Sequence, residues 1–146
     1  MKRSMMLMAA GFLAAGMLVL PVVAEELDPP AIAGMWMIEG EAYALEIGPC
    51  EQGLCGTVVW AADESLLGQV VLTDVSLDTN GKGAHKDGEF VDPVADKTYY
   101  RCELLVDDEG RLRVEGQVGV MRRGRPVLSR FATKLHFVRV RELPAG

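Results

Sequence analysis

Residues 99–120 read YYRCELLVDDEGRLRVEGQVGV, two runs of alternating side chains around one polar reversal. Before the reversal, Tyr100, Cys102, Leu104 and Val106 fall on one face and Arg101 and Glu103 on the other. After it, Leu112, Val114, Val118 and Val120 are backed by Arg113, Glu115 and Gln117. Successive strand residues point to opposite sides of a sheet, so each run can bury one face and wet the other. DDEGR at 107–111 supplies the glycine-bearing turn of a hairpin.

The same grammar extends outward. Tyr43, Leu45 and Ile47 share a face against Ala44 and Glu46, and Val58, Trp60 and Ala62 alternate with Thr57, Val59 and Ala61. RRGRP at 122–126 reads as a second tight reversal, and DTNGKG at 78–83 and KDG at 86–88 as further turns. DESLLG at 63–68 has room for one helical turn. No stretch after residue 34 carries a capped apolar repeat of 3.6 residues. Short antiparallel strands with one-sided apolar faces predict an all-β fold, a small closed antiparallel barrel of about eight strands with little helix. Closure also removes exposed sheet edges.

The chain opens MKRSMMLMAAGFLAAGMLVLPVVAEE. A basic start, an apolar run from Met5 to Leu20 and small residues at Val22 and Ala24 predict a secretory signal peptide over 1–24. Residues 25–33 then form a Pro-stiffened lead-in, 34–141 a single barrel domain and 142–146 a tail. Without 1–24 the chain carries 13 basic and 21 acidic residues, a net charge of −8. That balance disfavours nucleic acid as a partner, and no later segment is long and apolar enough for a stable membrane span.

Cys50 and Cys55 bracket the polar tip EQGL between two strand patterns. A metal pair would need two more ligands, with only His85, His136 and carboxylates on offer, and a redox pair would want Cys-x-x-Cys at a helix start. Export and the short reach across a hairpin favour a disulfide between them. Cys102, on an apolar face, reads as a buried thiol. No nucleophile elbow, zinc-protease helix or phosphate loop occurs, and no catalytic residue or cofactor is expected. The basic cluster Arg122, Arg123 and Arg125 solvates a hairpin tip or grips an anion. Gly34 precedes Trp36 by two residues, and Arg130 lies on the last strand pattern, either facing outward or lying over the Trp36 ring.

GMW at 34–36, PCEQGLCGTVVW at 49–60, FVDPVADKTYY at 90–100, LRVEGQVG at 112–119 and LSR at 128–130 together resemble domain-of-unknown-function family 2147, small exported bacterial proteins. The resemblance implies a lipocalin-like barrel, in which a late arginine packs on the tryptophan of the first strand. It therefore favours a Trp36–Arg130 pair. The chain departs from the family pattern in lacking a Trp before the Asp-Pro block, in Gln117 where a Cys is common, and in LSR without a preceding Trp. These readings lead to a periplasmic protein, not an enzyme, that binds a small apolar or amphipathic molecule. The ligand-facing side chains expected are Trp36, Tyr43, Trp60, Tyr100 and Arg130. The alternatives are a solid-core module that engages an envelope protein through its loops, and a hydrolase assembled from distant residues.

Overall fold

The computed structural model describes residues 31–144. The signal-peptide reading of 1–24 and most of the lead-in lie outside the described residues. Nine strands follow in order: β1 (Gly34–Ile38), β2 (Tyr43–Cys50), β3 (Gly53–Ala61), β4 (Val70–Val75), β5 (His85–Asp92), β6 (Lys97–Val106), β7 (Leu112–Arg122), β8 (Arg125–Leu128) and β9 (Thr133–Arg139). A 3-10 turn at Glu64–Leu66 occupies the DESLLG segment, capped where Asp63 Oδ1 accepts the Ser65 amide at 3.0 Å.

Each of the first seven strands pairs with the next, all antiparallel. The barrel closes where β9 lies between β1 and β7. Eight strands thus form the wall. Among the described residues β8 pairs only with β7 and stands outside the closed ring. The predicted closed barrel is the observed one.

Alternation sets what faces inward, as the burial of Tyr43, Leu45 and Ile47 on β2 and of Leu112 and Val114 on β7 shows. Bulges on several strands then invert its phase, and two of them move residues expected inside. On β3 the register against β2 shifts between Leu45–Val58 and Ala44–Trp60. Val59 is the extra residue, so Val58 and Ala61 are buried while Trp60 is turned to the other side. On β6 the register shifts between Tyr100 and Glu103, with Arg101 at φ 55°. Tyr99, not Tyr100, joins Cys102 and Leu104 in the core. A bulged strand places two residues opposite one, which exchanges the two faces beyond it.

Candidate functional site

One end of the barrel is closed by the residues just before β1. Trp36 is fully buried, and its indole N–H donates to the Ile32 carbonyl at 2.9 Å. Above the ring, 4.2 Å from its centroid, lies the guanidinium of Arg139. Arg139 also donates through Nη1 to the Ala33 carbonyl at 3.0 Å and through Nη2 to the Ala31 carbonyl at 2.6 Å. The cation on Trp36 is therefore Arg139, not Arg130. The β1–β9 register pairs Trp36 directly with Arg139, whereas Arg130 precedes β9, whose length is roughly 20 Å of strand. Arg130 is exposed, with its guanidinium 5.6 Å from the Phe131 ring. Gly34 accounts for the rest of the Gly-x-Trp pattern. Its φ of 126° disfavours a side chain, and a Cβ there would stand 2.6 Å from Arg139 Nη1.

Besides Trp36, the interior holds four aromatic rings. Tyr43 meets Phe137 edge-on at 6.2 Å, Phe137 meets Phe90 at 6.1 Å, and Phe90 meets Tyr99 at 6.0 Å. Of the residues expected to face a ligand, Trp36 and Tyr43 are inside. Trp36 is spent on closing the barrel end, and Tyr43 stands among these rings. Trp60 and Tyr100 are half-buried on the outer side, a correction that follows from the two bulges. The Tyr100 ring lies across Gly119 on the neighbouring strand, where a Cβ would come within 2.5 Å of ring carbons.

Tyr43 is the one interior aromatic with a polar loose end. Its ring is buried, and its hydroxyl has no hydrogen-bond partner among the described residues. Burial, and then the carboxylate of Asp92, push this phenol well above its ordinary range. Tyr99 shifts the same way, by burial first and Asp92 second. Both phenols therefore stay protonated and are available as hydrogen-bond donors at any physiological pH.

Asp92, itself buried, closes the β5–β6 turn: its Oδ1 accepts the amides of Val94 at 2.9 Å and Ala95 at 3.0 Å. Ala61, at the end of β3, pairs with Tyr43, and Leu66 of the 3-10 turn and Ala42 pack on the core. The end opposite Trp36 thus presents two neutral phenols, one carboxylate and an apolar surround. Sequence reading missed Tyr99, Asp92 and Arg139. Asp92 and Tyr99 both lie in the FVDPVADKTYY block at 90–100, whereas Arg139 lies outside every motif.

The remaining cysteine and histidine readings are simpler. Cys50 and Cys55 are disulfide-bonded across the β2–β3 hairpin, with Cα atoms 5.9 Å apart. Cys102 is free and buried; burial pushes its thiol up to about 12, and its Sγ donates to the Tyr99 carbonyl at 3.3 Å. His85 is buried, with Nδ1 2.7 Å from the Ser76 carbonyl, so that nitrogen carries the proton. Among the described residues no group of three or more His, Cys, Asp or Glu side chains is arranged to hold a metal ion.

The profile of a bacterial family described as "Uncharacterized protein conserved in bacteria (DUF2147)" matches residues 34–126. The chain belongs to this family. A search of curated proteins finds no match. Among solved structures the barrel is similar to protein HP1028 from Helicobacter pylori, described as belonging to the lipocalin family. The two are 14% identical with a TM-score of 0.51, over 80% of this chain and 86% of that one. At that identity the likeness is one of fold.

Proposed function

We propose that this DUF2147 protein is an exported, periplasmic, non-enzymatic barrel that binds a small apolar or amphipathic molecule bearing one hydrogen-bond acceptor. The orphaned Tyr43 hydroxyl carries the reading. A buried hydroxyl left unpaired costs about 1–3 kcal/mol, and an acceptor atom on a ligand would recover it. The neighbouring rings and Leu66 offer an apolar surround to the rest of such a molecule, and Tyr99 a second donor. Export is supported by the signal pattern of residues 1–24 and by the Cys50–Cys55 disulfide, a bond that persists in oxidising compartments. No helix among the described residues is long and apolar enough to cross a membrane.

The protein purified from a periplasmic extract is expected to show, in native mass spectrometry, a small added mass that denaturation releases. A bare-chain mass together with no uptake of an apolar dye would sink the reading. The packing of the four interior rings favours one competitor, a solid-core module working through its surface. A stoichiometric protein recovered from envelope extract by pull-down would support that competitor instead.

A further inference from the structure

The chain's net negative charge conceals a sharp division. Residues 25–115 hold 20 acidic and 6 basic side chains, whereas 116–141 hold seven basic and none acidic. Within that basic segment, β7 leaves β6 after the Thr98–Gly119 pair and leaves β9 after Gly116–Thr133. Beyond those points β7 and β8 pair only with each other, through Val120–Val127, Met121–Pro126 and Arg122–Arg125. The two strands therefore form an arm past the barrel wall, turning at Arg123 and Gly124, both with positive φ. At 3.3 Å per residue its tip stands roughly 13 Å beyond Gly119.

The arm and the loop at its base are unlike the rest of the surface. Arg122, Arg123, Arg125 and Arg130 are exposed, and none pairs with a carboxylate among the described residues. Between them stand large apolar side chains left in water: Phe131 is 76% exposed and Met121 62%. A core would bury these, and a soluble anion would give them no shelter. β8 is also a poor template for another chain's strand, because Pro126 lacks an N–H and Arg125 guards the edge.

We propose that the 119–131 arm docks the protein onto a bilayer surface carrying anionic phospholipids. The arginines meet lipid phosphates, and Met121 and Phe131 enter the boundary between headgroups and acyl chains. Asp74, Asp87 and Glu89 of the body share a cleft with Pro126 and Leu128 of the arm, so the body's repulsion falls on the base of the arm. Charges are screened over about 8 Å at physiological ionic strength, less than the reach of the arm. The inference is independent of what fills the barrel.

The test is co-sedimentation of the full mature chain with vesicles of phosphatidylcholine alone and of phosphatidylcholine mixed with phosphatidylglycerol. Binding is expected only to the mixed vesicles, weakening as salt is raised. An arginine near an anionic leaflet contributes about fivefold to partitioning, so R122Q/R123Q/R125Q should bind about 100-fold more weakly. M121S/F131S should also lose binding while keeping the wild-type thermal midpoint, since all five side chains are solvent-exposed. No binding of the wild type to mixed vesicles overturns the proposal, as does undiminished binding by R122Q/R123Q/R125Q. Unchanged binding by M121S/F131S overturns the insertion it invokes. Lipid-free dimerisation abolished by the arginine substitutions would reassign the arm to a second copy of the chain.

Discussion

Tyr43→Phe isolates the feature on which the ligand reading rests. The substitution removes one oxygen and leaves the ring that packs edge-on against Phe137 at 6.2 Å. That hydroxyl donates to no described residue, so no hydrogen bond to the described residues is lost. What disappears is the desolvation cost of an unpaired buried hydroxyl, about 1–3 kcal/mol. Losing the small volume of one oxygen gives back part of that gain, so a net stabilisation of about 1–2 kcal/mol is expected. For a chain of this size the thermal midpoint should rise by about 4–8 °C. Urea unfolding would show a higher midpoint at an unchanged m-value, the mark of altered stability and not of an altered denatured state. The measurement is made twice, on protein refolded from denaturant to strip any ligand and on protein as isolated from the periplasm. In stripped protein Tyr43→Phe should be the more stable. In loaded protein the advantage should shrink or reverse, because there the wild-type hydroxyl has its partner. Destabilisation of the stripped protein by Tyr43→Phe would refute the reasoning, since the hydroxyl would then be satisfied without a ligand.

Two further outcomes follow from the geometry. Arg139→Ala removes the stacking on Trp36 and two charged hydrogen bonds to the Ala31 and Ala33 carbonyls, and should cost about 2–3 kcal/mol in chemical denaturation. Arg130→Ala should stay within about 0.5 kcal/mol of wild type, and equal effects at the two sites would contradict the assigned pairing. The second outcome concerns alkaline pH. Cys102 titrates at about 12 folded against 9.0 as a free thiol, and Tyr43 and Tyr99 are likewise raised above 10.0. Above pH 9 the unfolded chain releases these protons before the folded one does, so stability is full below that point and falls as pH climbs toward 12. Denaturation midpoints recorded across that window should fall, and Cys102→Ala should flatten the onset; a flat wild-type profile would contradict the burial assigned to these groups. The native thiol should also resist alkylation at pH 8, with one equivalent reacting after unfolding.

The sequence by itself determined the architecture. Two-residue alternation in β2 and β7, together with glycine-bearing turns such as Arg123–Gly124, specifies antiparallel hairpins through local sterics alone. The hairpin between Cys50 and Cys55 is local in the same way, which is why the disulfide was legible from six residues. Only the tertiary structure decided which side chains enter the barrel. The bulge at Arg101 uses a residue with no special taste for positive φ, so no local signal exchanges Tyr100 for Tyr99. The partner of Trp36 was hidden for a related reason. Whether Arg130 or Arg139 reaches the ring depends on where β9 slots against β1, a register set by closing a sheet over about a hundred residues of chain. The projecting arm belongs to the same class: its alternation is that of any strand, and only the point at which its neighbours stop pairing leaves Met121 and Phe131 in water.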